Sequence, residues 1–243
     1  MNTRPITENC QRILNSKLHV CFGISPFNSY FSDQKIEELA LWGKGEFKAT
    51  HFFVPDVPSA YTLEALGYPP EKAAWKARRQ AQYLRNKIHK VLSNIGYSII
   101  NAEEMFLDWE KLSKNNHYLF LFQEVTKHFE LNSDFRKACL EASKWVLEKR
   151  TPDTECLTPE TLESAARYLL AEIPLFLDTA GIVGVKSSVF CYHQCIPFLE
   201  NLFRNRFPLK VAPNQGFVVI EPIIQKELYP LNKIKAVEPF ERN

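Results

Sequence analysis

The stretch LHVCFGISPFNSYFSDQKIEELALWGKGEFKATHFFVPD, residues 18–56, decides the fold. Its first seven residues form an apolar run closed by Gly23, Pro26 and Asn28, the pattern of a buried strand that ends in a loop. Ser32 is an N-cap residue for the segment that follows, where Ile36, Leu39 and Ala40 recur at helical spacing. THFFVPD then reads as a second strand, stopped by Pro55 and Pro58. A strand, a helix and a strand in this order make a crossover unit, whose two strands run parallel.

Working outward, residues 70–95 predict a long helix and YSII, 97–100, a third strand. The order βαβαβ predicts an α/β fold: a single Rossmann-like domain with a mostly parallel central sheet flanked by helices. Further helices are expected over 102–128 in one or two pieces, over 133–149, over 159–173 and over 194–205. The third of these opens on Thr158 as cap with Pro159 in the first turn. GFVVIEP, 216–222, reads as a late strand; residues 1–15 read as an N-terminal arm and 223–243 as a C-terminal tail of one domain spanning 1–243.

Composition narrows the class. In 243 residues, 45% hydrophobic content supports a substantial core, and a 13% aromatic share with only eight glycines argues against a disordered chain and a glycine-built nucleotide loop. Polar residues are spread through the first twenty, leaving no apolar core of a secretory signal, and no later run is long enough and free enough of charge to span a bilayer. A cytoplasmic protein without membrane attachment is expected. The six cysteines, Cys10, Cys21, Cys139, Cys156, Cys191 and Cys195, form no CxxC pair and no zinc-spaced cluster, which predicts free thiols and no metal.

Charge is concentrated in one segment. Between Lys72 and Ala102 there are seven Lys or Arg residues and no Asp or Glu, in a chain of net charge +2. Wound as a helix, Ala73, Ala77, Ala81, Leu84, Ile88 and Val91 fall on one apolar stripe, and Lys72, Lys76, Arg79, Tyr83, Lys87 and Lys90 on the opposite face. A solvated charged face is the ordinary explanation of such a run. Mixed signs would serve that purpose, whereas a face of one sign carries repulsion and suits a polyanion such as tRNA laid across it.

Chemistry-bearing residues occur at three places. Ser25 follows a strand end, with Gly23 permitting close approach to the backbone and Pro26 favouring an extended Ser25. A serine before proline is also an ordinary turn residue, and no GxSxG elbow is present. Tyr168 and Glu172 are four apart and so reach one point on a helix, and the flanking Ile173, Pro174, Leu175 and Phe176 would raise the Glu172 pKa. A packed tyrosine beside a solvated glutamate fits the same spacing. Tyr192 and His193 follow an apolar run; His193 suits an acid or base, and equally a hydrogen-bonded structural group.

Together these stretches resemble the cyclodipeptide synthases. Gly23, Ser25 and Asn28 match the family's first loop within GISPFNSYF, Tyr168 and Glu172 match its YxxxExPLF pattern, and Tyr192 matches the tyrosine after its SSV-type run. Asn28, Tyr192 and His193 place the chain in the Asn-Tyr-His branch. The resemblance implies a domain similar to the catalytic domain of class I tyrosyl- and tryptophanyl-tRNA synthetases, working without ATP or other cofactor; no HIGH-like or KMSKS-like segment is present. Two aminoacyl-tRNAs are the implied partners, held on the basic helix by Lys72, Lys76, Arg79, Lys87 and Lys90. Where the family has an arginine cluster, this chain has Asn86, Lys87, His89 and Lys90.

By the same resemblance, Ser25 takes the aminoacyl group from the first tRNA, and Tyr168 and Glu172 hold its amino group. Asn28 and the backbone near Gly23 steady the nucleophile, Glu172 assists the second amine, Tyr192 relays a proton in ring closure, and His193 supports Tyr192. Cys21, Phe53, Leu175 and Phe190 are placed near the first aminoacyl pocket, whose bulky rings indicate a small or aliphatic first amino acid. Two other classes use the same features: a serine acyl hydrolase on an α/β domain and a non-catalytic RNA-binding protein. Nothing in the sequence bears on oligomeric state.

Overall fold

A computed structural model describes residues 1–151 and 157–221. The segment read as an arm is structured: Asn2–Pro5 form β1 and Glu8–Ser16 form α1, capped by the Thr7 side chain. The unit that decided the fold follows as β2 (His19–Gly23), α2 (Asp33–Glu46) and β3 (Ala49–Phe53), with Ser32 Oγ accepting from the Lys35 N–H as the N-cap. Next come α3 (Ser59–Ala65), α4 (Pro70–Asn94), α5 (Ile99–Glu104), the two-residue β4 (Phe106–Leu107) and α6 (Trp109–Leu112). The second half comprises α7 (Asn116–Leu131), α8 (Ser133–Glu148), α9 (Pro159–Val183), β5 (Ser188–Tyr192), α10 (Pro197–Phe203) and β6 (Gln215–Glu221). The proposed tail and Cys156 lie outside the described residues; the other five cysteines are free thiols.

The described strands form one sheet in the order β1-β6-β5-β2-β3-β4, parallel throughout except for β1, which pairs antiparallel with β6. Side chains alternate across it. Val20, Phe22, Phe52, Cys191 and Val218 pack with Ile36, Leu39, Leu84 and Ile88 of α2 and α4. Cys21, Phe53, Phe190 and Phe217 pack with Tyr118, Ile173, Leu175 and Phe176 of α7 and α9 on the other face. This is the expected α/β layering, with no helix among the described residues long and apolar enough to cross a membrane.

One strand was misplaced. Tyr97 and Ser98 are loop, Ser98 Oγ caps α5, and Ile99 and Ile100 stand 81% and 72% exposed. The strand that extends the sheet beyond β3 is Phe106–Leu107, joined where Phe52 N donates to Met105 O at 2.7 Å and Val54 N to Leu107 O at 3.2 Å. β-branched composition marked the wrong segment because a two-residue strand has no periodicity to read. The helix expected over 159–173 runs on to Val183, broken in its geometry at Asp178, and α3 was not anticipated.

Gly43 marks where α2 presses on the sheet. A Cβ there would stand 2.8 Å from Thr50 Oγ1 and 3.1 Å from a Phe22 ring carbon, both on buried residues. Gly43→Ala should therefore cost about 1–3 kcal/mol of stability despite its better helix propensity, lowering the urea midpoint without changing the m-value.

Candidate active site

The loop after β2 and the end of β5 emerge side by side because the two strands pair in parallel, with Cys21 opposite Phe190. Ser25 lies just beyond β2 and Tyr192 ends β5, so residues 167 positions apart bring their hydroxyls to 2.7 Å. From α9, the Tyr168 hydroxyl is hydrogen-bonded to both Ser25 and Glu172. Ser25 is buried.

Glu172 is half-buried and lines a cavity together with Ser25, Tyr168 and Tyr192. Burial pushes its carboxyl up to about 7, partly offset by the hydrogen bond from Tyr168. The direction is the one its apolar sequence context indicated. Burial holds the Tyr168 phenol well above its ordinary value and moves Tyr192 up to about 12, so near neutral pH both are proton donors while Glu172 exchanges its proton readily. Tyr118 also feels the Glu172 charge. Its hydroxyl donates to Ala171 O at 2.9 Å, beside the carbonyl of Leu170 that Pro174 leaves without an intrahelical donor. Tyr118 thus steadies the turn of α9 that carries Glu172. Sequence reasoning missed it, since it looks like any core aromatic on a helix.

Asn28 organises the other side. Its Oδ1 accepts from Tyr30 N at 3.0 Å, which turns its Nδ2 toward His193 Nε2 at 3.3 Å, and its side chain also bonds Tyr192. With Nε2 as acceptor, this network assigns the His193 proton to Nδ1. The imidazole stacks on Tyr30 at a centroid distance of 4.5 Å, and burial moves its pKa down to about 4, so it is neutral at physiological pH. His193 therefore props the Asn28–Tyr192 pair, while the Ser25 hydroxyl is bonded to phenols. That arrangement lacks the imidazole base a serine hydrolase places on its nucleophile.

Gly23 serves the site differently from expectation. A Cβ there would meet the Phe190 ring at 2.9 Å and Tyr192 at 3.4 Å, so the close approach it permits is by these rings. Phe190 lines the cavity with Gly23, Ser25, Tyr168, Glu172 and Tyr192. Cys21, Phe53 and Leu175 do not line it; they pack in the core that supports it. Cavity walls not foreseen come from α3 (Ser59, Thr62) and from Trp145 of α8 with Arg150 just beyond it, which only the fold brings to this edge.

The basic face divides into two halves. Lys87, expected to be free, is half-buried and paired with Asp33 of α2 at 2.7 Å. Arg85 pairs with Glu103 and Asp108, and His89 with Glu103 at 2.9 Å. Lys90 is exposed, and its charge adds to the Lys87 hydrogen bond that chiefly holds the Asp33 carboxyl below its ordinary pKa. In the amino-terminal half, Lys72, Lys76, Arg78 and Arg79 have no carboxylate partner among the described residues.

A family model for cyclodipeptide synthases matches residues 1–222. The chain belongs to the cyclodipeptide synthase family. Two curated relatives are each 32% identical: a cyclo(L-tyrosyl-L-tyrosyl) synthase of Mycobacterium tuberculosis, aligned over 90% of this chain and 75% of that one, and a cyclo(L-leucyl-L-leucyl) synthase of Bacillus subtilis, over 90% and 89%. A solved Mycobacterium tuberculosis structure, reported to demonstrate that cyclodipeptide synthetases are related to type I tRNA synthetases, superposes with a TM-score of 0.77 at 32% identity, covering 89% of this chain and 91% of that one. A more distant cyclodipeptide synthase, from Candidatus Glomeribacter gigasporarum and bound to Phe-tRNAPhe, shares the fold at TM-score 0.52 and 17% identity, covering 93% and 92%. This chain is thus an enzyme of the family, and its Ser25, Tyr168, Glu172 and Tyr192 meet at one cavity.

The raised Glu172 pKa has a consequence for this synthase's stability. A carboxyl that holds its proton more tightly when folded contributes most below its unfolded value near 4.5, and that contribution is lost as pH rises through about 7. Glu172→Gln should remove a downward slope approaching about 1.4 kcal/mol per pH unit across that window, measured by urea unfolding at a series of pH values.

Proposed function

We propose that this cyclodipeptide synthase joins two aminoacyl-tRNAs into a 2,5-diketopiperazine by a ping-pong route through Ser25. The observation that carries the reading is the Ser25–Tyr192 contact of 2.7 Å beside a glutamate that titrates near neutral pH. Ser25 Oγ attacks the ester carbonyl of the first aminoacyl-tRNA. The bond to the ribose oxygen breaks, that oxygen gains the proton Ser25 gives up, and an aminoacyl ester remains on Ser25. One ester replaces another, so the activation already present in the substrate suffices without ATP, and orientation supplies much of the acceleration.

Tyr168 and Glu172 hold the amino group of the bound residue. The second aminoacyl-tRNA brings an amine that must be neutral to attack, and Glu172, at about 7, is matched to taking its proton. Attack forms the first peptide bond and frees Ser25, which then accepts the dipeptidyl group from the second tRNA. In the last step the free amine closes on the Ser25 ester, and the Tyr192 hydroxyl, already bonded to Ser25, returns the proton to the departing Oγ. Asn28 keeps Tyr192 in place. The apolar walls, Val146, Leu147, Ala165, Leu169 and Phe190 among them, support a small or aliphatic first amino acid. The tRNA-bound structure of the distant family member supports aminoacyl-tRNA as the substrate class, and the unpaired cations in the amino-terminal half of α4 supply the matching charge.

Mass spectrometry of reactions containing charged tRNAs tests this directly. Wild type should yield a diketopiperazine and, under single-turnover conditions, a protein mass increased by one aminoacyl group; Ser25→Ala should show neither. A product made by Ser25→Ala, or none from any charged tRNA with folded wild type, would overturn the proposal. Its pH profile should rise with deprotonation of Glu172 near 7, and Glu172→Gln should flatten that limb while lowering kcat/KM by about 10²–10⁴-fold.

A further inference from the structure

A second concavity opens beside the nucleophile cavity, and Phe27 belongs to both. Its walls are Phe27, Trp75, Lys76, Arg79, Gln80 and Tyr83. The three rings are 39%, 57% and 54% exposed, so large aromatic faces are gathered in one place in water. Phe27 has φ 59°, a left-handed conformation unfavourable for a bulky side chain, held two residues from Ser25. Cations interleave with the rings: the Arg79 guanidinium lies 5.2 Å from the Trp75 ring centre and the Lys87 ammonium 4.8 Å from that of Tyr83. Among the described residues neither Lys76 nor Arg79 is neutralised by a carboxylate.

Exposed rings beside Lys76 and Arg79, cations without a carboxylate partner among the described residues, match the two faces of an unpaired nucleotide, a flat base and a phosphate. An apolar peptide would find no aliphatic side chain among these six wall residues. The groove also runs to the point where an aminoacyl ester must be delivered. In an aminoacyl-tRNA that ester sits on the last nucleotide of an unpaired 3′ end, and Phe27, which lines both concavities, stands where that end would lie with its ester at Ser25.

We infer that Trp75, Tyr83 and Phe27 form a stacking platform for the unpaired 3′-terminal nucleotides of the tRNA, with Lys76 and Arg79 on their phosphates; the inference rests on the aminoacyl-tRNA reading above. Stacking is tolerant of base identity because every base has a π face, so one platform serves tRNAs for different amino acids. The free cations of the first turns of α4 hold phosphates without reading sequence. Base stacking and charge thus act together on the single-stranded end of the substrate.

Binding of the full-length protein to two RNA probes separates these roles: an acceptor-stem helix that carries the unpaired 3′ end and the same helix without it. Trp75→Ala and Tyr83→Ala should each weaken binding of the first probe by about tenfold, leaving the second probe and the salt dependence unchanged. Trp75→Phe should retain most of the affinity. Lys76→Ala combined with Arg79→Ala should weaken binding and make the slope of affinity against salt shallower by about one unit for each phosphate that is no longer neutralised. If both aromatic variants bind the two probes as wild type does, or weaken on both equally, the platform is refuted and the aminoacyl-tRNA reading stands. If wild type binds neither probe, the aminoacyl-tRNA reading fails and the platform falls with it.

Discussion

Parallel pairing of β2 with β5, in the register that sets Cys21 against Phe190, is the constraint on which the site depends. Strand residues alternate between the two faces, so a slip of one position would send Phe190 and Tyr192 toward α2 and α4 and bring Val189 and Cys191 to the α9 face. The register is held from both sides. Phe190 stands 5.0 Å from Phe176 of α9 and 6.1 Å from Phe217 of β6, ring centre to ring centre, while Val189 and Cys191 fill the opposite layer. Gly23 completes it, because only a residue without a side chain leaves the Phe190 ring its place.

Electrostatics then divides the labour among groups of one cavity. Burial raises Glu172, Tyr168 and Tyr192 alike, but from different starting points, so the carboxyl arrives near neutral pH and the phenols stay protonated. The same burial lowers His193 and removes it from acid–base work near pH 7. A histidine next to the tyrosine that bonds Ser25 invites a catalytic reading, and here its physical role is to hold an asparagine and a tyrosine in line.

Local pattern was a good guide to the elements and a partial one to the site. Ser32 and Thr158 cap the helices they were expected to cap, because an N-cap is a contact over three residues. YSII failed because β propensity describes a fit to a half-buried pleated surface, and no sheet edge lies there. The arm proved to be the antiparallel edge strand and its helix, decided by pairing with Asn2 against Glu221 across the length of the chain. Tyr118, Trp145 and Arg150 carried no signal, since each contacts the site only through helices that pack on one another in the finished layer.

What the sequence determined by itself follows from short-range physics: the crossover unit at 18–56, the spacing that puts Tyr168 and Glu172 on one helical face, and the apolar setting that raises the glutamate's pKa. It also showed a helix with seven cations and no acid between Lys72 and Ala102. Only the tertiary structure decided which of those cations remain free. Asp33, Glu103 and Asp108 lie outside that window and neutralise Lys87 and Arg85 once α2 and the segment after α4 fold back on it. Ser25 and Tyr192 likewise meet only through strand pairing, because a contact between residues 167 positions apart is set by register and packing, which no local window contains.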